Sequence, residues 1–98
     1  MFTATEIGII ASQMGKEMVM RLSPYGNPIV KHNKTKGNDL IFSFYKHPDG
    51  YRIRRRHGYA GPFGNSFVLN GGKAFPSIVS AMAYFNAYKA KYPNSIIA

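Results

Sequence analysis

"LIFSFYKHPDGYRIRRRHGY", residues 40–59, decides the fold. Leu40–Lys46 is rich in aromatic and β-branched residues in period-two order, which predicts a strand. His47–Gly50 is a turn: Pro48 presets its own φ, Asp49 caps locally, and Gly50 supplies a positive φ. Tyr51–Gly58 is then the return strand. So short a connection leaves no room for a crossover, so the pair must be antiparallel.

The hairpin has two candidate registers. If His47–Gly50 is a four-residue loop, Lys46 faces Tyr51 and Phe44 faces Ile53. Directly opposed residues share a face. The core face then gathers Phe42, Phe44, Tyr51 and Ile53, and the outer face gathers Ile41, Ser43 and Tyr45 with Arg52, Arg54 and Arg56. A three-residue loop with a bulge at Gly50 instead sets His47 opposite Tyr51 and puts the arginines on the face of Phe42 and Phe44. Burial favours the first register, and the turn sequence permits the second. Either way the arginine face carries an aromatic ring.

Upstream, residues 4–22 read as a helix. Thr3 and Glu6 have capping-box spacing, and Ile7, Ile10, Ala11, Met14, Met18 and Leu22 form one apolar stripe. Gly8 and Gly15 each weaken such a helix by about 1 kcal/mol, so it depends on packing. Met14, Met18 and Met20 offer an adaptable partner surface, but a stripe against the chain's own sheet is the simpler reading. "SPYGNP", residues 23–28, ends the helix, and Ile29 and Val30 begin a short strand. Lys31, Lys34 and Lys36 then fall in a basic loop.

Downstream, a third strand is expected over residues 66–70, followed by a turn at Asn70-Gly71-Gly72. A second helix is expected over about 77–92. Ser77 is its N-cap, Pro93 stops it, and Lys89 and Lys91 complement its C-terminal dipole. The expected fold is α+β over a single domain, residues 1–98. It is a helix, a three-stranded antiparallel sheet and a helix, with both helices on one face. The expected core is Phe42, Phe44, Ile53, Phe67, Leu69, Met82 and Phe85.

Lys and Arg total 13 against 4 acids, a formal charge of +9. Such a chain attracts polyanions, nucleic acid first, then an anionic membrane or an acidic protein surface. The absence of cysteine excludes disulfides and thiolate zinc sites. The opening residues lack a basic n-region and are interrupted by Glu6, Gln13 and Lys16. Neither a signal peptide nor a membrane span is expected, and the expected location is cytoplasmic.

Guanidinium groups bind phosphate through paired, charge-assisted hydrogen bonds, and an exposed ring stacks on an unpaired base. A row of three arginines on a strand spans about 13 Å, comparable with two or three backbone phosphates. Arg52, Arg54, Arg56, Tyr45, Lys46, Lys31, Lys34, Lys36 and Lys73 are therefore the candidate nucleic-acid-binding residues. The competing view is a solvated face that keeps the sheet soluble and its edges unpaired.

No enzyme, cofactor or metal is expected. His32, His47 and His57 lack metal-ligand spacing, four dispersed acids form no acid–base pair, and neither "GPFGN" nor "NGGK" has the P-loop pattern. The expected function is a small non-catalytic nucleic-acid-binding protein. The alternative is an interaction protein, such as a phage-encoded inhibitor, that docks its basic face on an acidic host protein or occupies that protein's nucleic-acid site. A homodimer is a further candidate assembly.

Three strands followed by "AFPSIVSAMAYFNAY" resemble the DNA-binding domain of ethylene-response factors and of phage integrase N-termini, through Phe75, Ser77, Ala81 and Tyr84. The tyrosine falls one position early, Ser80 stands where the group prefers an acid, and the group's tryptophan is absent. The resemblance covers roughly residues 40–92. It implies a three-stranded sheet in the DNA major groove backed by one helix, with Arg52, Arg54 and Arg56 facing DNA. The element order is also similar to that of the double-stranded-RNA-binding domain. That family places a lysine cluster at its last helix, where here only Lys73 precedes the helix. The short, basic, cysteine-free chain resembles small phage and mobile-element proteins.

Overall fold

The structure, a computed structural model, describes residues 1–15, 18–32, 40–57 and 66–91. In chain order it contains α1 (Ala4–Gln13), β1 (Met18–Leu22), β2 (Pro28–His32), β3 (Leu40–His47), β4 (Gly50–His57), β5 (Phe67–Val68), a 3-10 turn (Asn70–Gly72) and α2 (Ile78–Lys91). The strands form one antiparallel meander in the order β1-β2-β3-β4-β5. The α+β class agrees with the sequence reading, but the sheet has five strands and not three.

The two additional strands come from the segment read as the second half of the first helix and from the short strand at Ile29 and Val30. The capping box is present: the Thr3 side chain accepts from the Glu6 N–H and the Glu6 carboxylate accepts from the Thr3 N–H. The helix nevertheless stops at Gln13, because Gly15 takes φ +93°, a left-handed conformation that turns the chain out of the helix. Met18 and Met20 then face inward while Val19 and Arg21 face out. Met14, Met18 and Leu22 fit a helical stripe, but Met18, Met20 and Leu22 fit alternation equally well. Pairing decides between them. β2 would leave one edge of its backbone unbonded without β1, which zips to it from Met18↔His32 to Leu22↔Pro28.

The central hairpin takes the first of the two registers, with Lys46 opposite Tyr51 and Phe44 opposite Ile53, extended by His47 opposite Gly50. Gly50 has φ +136°, and a Cβ there would lie 2.3 Å from the Phe75 carbonyl oxygen. Only glycine fits, because the strand leading into α2 bridges to Tyr51 at this point through two backbone hydrogen bonds of 2.9 and 2.7 Å. Asn70, Gly71 and Gly72 all have positive φ, which accounts for the Asn-Gly-Gly run and cuts the expected strand at 66–70 to Phe67–Val68.

Both helices contribute to the core on one face of the sheet. Phe85 of α2 is fully buried and meets Phe42 and Phe44 edge-on, with ring centroids 5.0 and 5.4 Å apart. Ile10 from α1, Ile78, Ala81 and Met82 from α2, and Phe2, Met18, Val30, Ile53, Leu69 and Phe75 complete the cluster. Of the expected core, Phe67 is the exception at 46% exposed. It lies on a two-residue edge strand, and its ring packs on the Arg55 guanidinium, 5.0 Å away. Ser77 caps α2 as expected, its hydroxyl accepting from the Ser80 N–H. Lys89, expected to serve its own helix end, instead donates to the carbonyls of Gln13 and Met14 at the C-terminus of α1. The favourable charge–dipole contact is thus made between helices.

Glu6 ties α1 to the central hairpin. Its carboxylate accepts from Lys46 Nζ at 2.9 Å and from the Tyr51 hydroxyl, and the side chain is buried. Burial pushes its pKa up. The Thr3 backbone N–H, the Tyr51 hydroxyl and the Lys46 ammonium outweigh this and hold it at about 2, below the ordinary 4.5.

Two outcomes follow for stability. Phe85→Ala should lower the unfolding free energy by roughly 3–5 kcal/mol in urea melts, since a fully buried ring is lost and its cavity remains. Glu6→Gln should be less stable than the parent near neutral pH. A depressed carboxylate pKa contributes stability that is complete above 4.5 and is lost as pH falls toward about 2. The gap between parent and variant should therefore close across that window in acid titrations of stability.

Candidate nucleic-acid interface

The face of the sheet opposite the helices is assembled by register. Arg21 pairs with Ile29, Ile29 with Ser43, Ser43 with Arg54, and Arg54 with Val68, so one row of side chains crosses all five strands. A second row runs Val19, Lys31, Ile41, Arg56, and a third sets Tyr45 beside Arg52. At about 4.8 Å per strand, Arg21 and Arg54 lie about 14 Å apart across the sheet, similar to the span from Arg52 to Arg56 along it. The result is a two-dimensional basic patch, where the sequence alone indicated a single row.

Exposure differs along the arginine strand. Arg54 is exposed, with Nη1 3.3 Å from Ser66 Oγ. Arg52 and Arg56 are half-buried. Arg52 forms a bidentate pair with Asp49, at 3.0 and 2.9 Å, and its Nε donates to the Gly72 carbonyl at 3.0 Å. This pairing lowers the Asp49 pKa and raises that of Arg52. The three arginines share the outer face as expected, but only Arg54 of the three is fully exposed. The turn's own carboxylate is close enough in sequence to hold Arg52, which leaves Arg54 as the most open of the three. Ile41 is 9% exposed although it lies on this outer face, between Lys31 and Arg56.

The other candidates divide between the two faces. Tyr45 is half-buried on the arginine face, its ring nearly parallel to that of His47 at a centroid distance of 6.4 Å. Lys31 is exposed on the same face. Lys46 is on the opposite face, bound to Glu6 and donating to the Met1 carbonyl at 3.3 Å, so it does not join the patch. Lys73 is exposed directly after the turn whose Gly72 carbonyl receives Arg52. Lys34 and Lys36 lie outside the described residues.

Arg21 and Tyr25 were missed by the sequence reading. Read as part of a helix, Arg21 has no relation to Arg54. Tyr25 reads as part of an undistinguished loop, yet it is 81% exposed at the tip of the β1–β2 hairpin. The signal for both was "SPYGNP" between two short apolar runs, which is a hairpin pattern as well as a helix stop. Among the described residues the acids are Glu6 and Asp49. The first lies on the inner face and the second is paired with Arg52, so the described residues of the outer face carry a net positive charge.

Among the described residues no cluster of His, Asp or Glu could hold a metal ion, and no helix is long and apolar enough to cross a membrane. No protein-family model, curated protein or solved structure matches the chain.

Proposed function

We propose that this chain is a non-catalytic nucleic-acid-binding protein that lays the outer face of its sheet along a phosphate backbone. The observation that carries the reading is the placement of Arg21, Lys31, Arg54 and Arg56, from three strands, on one face with Tyr45 and Tyr25. Each chain element contributes few charges, and the meander sums them. A sheet face with separated cations suits a chain of phosphates because each guanidinium can take one phosphate without crowding its neighbour. The helices occupy the opposite face and support the sheet without covering the cations.

The resemblance to the ethylene-response-factor and integrase domains favours the same orientation. In that group the sheet face turned away from the helix meets DNA. The order β3, β4, β5, α2 would place Arg52, Arg54 and Arg56 toward the nucleic acid.

Binding to labelled DNA and RNA across a salt series tests the reading. Affinity should fall steeply with salt, since each neutralised phosphate releases counterions. Arg21→Gln/Arg54→Gln/Arg56→Gln should flatten the log–log slope by about two to three units, close to one per lost contact. Its melting temperature should stay close to the parent's, because Arg21 and Arg54 are exposed and Arg56 only half-buried, and surface charges contribute little to folding. Lys46→Ala should do the reverse, lowering stability while leaving the slope as in the parent. A folded triple variant with unchanged affinity and slope would overturn the proposal. Retention of an acidic protein from nuclease-treated lysate would then favour the docking alternative.

A further inference from the structure

Beside the arginine row, the outer face has a recess of about 250 Å³ lined by Ser23, Tyr25, Asn27, Ile29, Ser43 and Tyr45. The β1–β2 turn that forms its wall is braced. Ser23 N–H donates to the Asn27 carbonyl at 2.9 Å, and Gly26 N–H to the Ser23 carbonyl at 2.9 Å. Ser23 Oγ accepts from the backbone N–H groups of Tyr25 and Asn27. Gly26 closes the turn at φ +82°. Tyr25 is thus held open to solvent by a turn with its own hydrogen-bond network. Ser23 serves this scaffold. Among the described residues, the Asn27 carboxamide and the Ser43 hydroxyl make no hydrogen bond. The recess therefore combines two aromatic rings with one amide and one hydroxyl available to a ligand. Its size is below the roughly 300–1,000 Å³ of pockets that enclose drug-sized molecules, and it suits one planar ring system. The cross-strand neighbours of its floor are cations: Arg21 beside Ile29 and Arg54 beside Ser43.

From this juxtaposition we infer that the recess seats one unpaired base of a single-stranded nucleic acid, with Arg21 and Arg54 holding the phosphates on either side. The inference rests on the function proposed above and narrows its ligand. Rings offer stacking to any base, while an amide pairs a donor with an acceptor, the complement of an exposed base edge. A base inside a duplex has both that edge and its faces occupied, so a duplex cannot fill the recess. Tyr25, at the tip, provides the ring reached first, and Tyr45, on β3, belongs to the sheet surface.

The experiment compares three labelled probes of equal length at one salt concentration: a single strand, the same sugar-phosphate chain lacking bases, and a duplex. The parent should bind the single strand about tenfold more tightly than the base-free chain, the scale of stacking one base. Tyr25→Ala, at an exposed position, and Tyr45→Leu, which keeps apolar bulk, should each close that gap. Equal affinity of the parent for the two single-stranded probes, with a steep salt slope, would overturn the base site and leave the proposed function standing. A gap that survives both tyrosine substitutions would also overturn it. Failure of every probe to bind would overturn both readings.

Discussion

Phe44 opposite Ile53 is the pairing on which the rest of the structure depends. It sets the parity of the β3–β4 hairpin, and a slip of one residue would exchange the faces of every side chain on one strand relative to the other. In the observed register Phe42 and Phe44 are free to receive Phe85, and α2 is thereby located. The same register sends Arg52, Arg54 and Arg56 to the opposite side. Core and basic face are therefore consequences of one constraint. Gly50 supports it, because the path into α2 passes so close that no side chain fits there.

The inner face is closed by contributions distant in sequence. Glu6 binds Lys46 and Tyr51, and Lys89 binds the last carbonyls of α1. Each places a charge where burial would be unfavourable without its partner, and each joins a helix to another element. Arg55 shows how the same face ends at its edge. It points inward in register with Phe42, but its guanidinium lies over the rings of Phe67 and Tyr88. The aromatic faces there meet a cation, and Phe67 stays partly open to solvent as a result.

The outer face follows a different logic. Its charges come from β1, β2 and β4, and the one described acid on this side is neutralised within its own turn. Arg52 is consequently a bridge between the hairpin tip and the Gly72 turn, and Arg21, Lys31 and Arg54 are the exposed cations among the described strand residues of this face. A polyanion reading of the +9 chain is thus concentrated on particular residues and not distributed over all its basic positions.

The sequence by itself determined the central hairpin, the favoured register, the second helix with its Ser77 cap, and six of the seven core residues expected from it, because each is specified by residues close together in the chain. Alternation, turn chemistry and capping are local, and Phe42, Phe44, Ile53 and Phe85 declare their burial by type. The first strand, and the joining of the short strand at Ile29 and Val30 to the sheet, were decided only by tertiary structure. Met18 and Leu22 satisfy helical periodicity with Met14 and strand periodicity with Met20, and only the unpaired edge of β2 selects the strand. With that choice came Arg21, the braced turn at Tyr25 and the recess beside Tyr45. The turn sequence at residues 23–28 signals the hairpin, but no local pattern contained the row from Arg21 to Arg54 or the recess, because a site on a sheet is defined by which strands lie side by side.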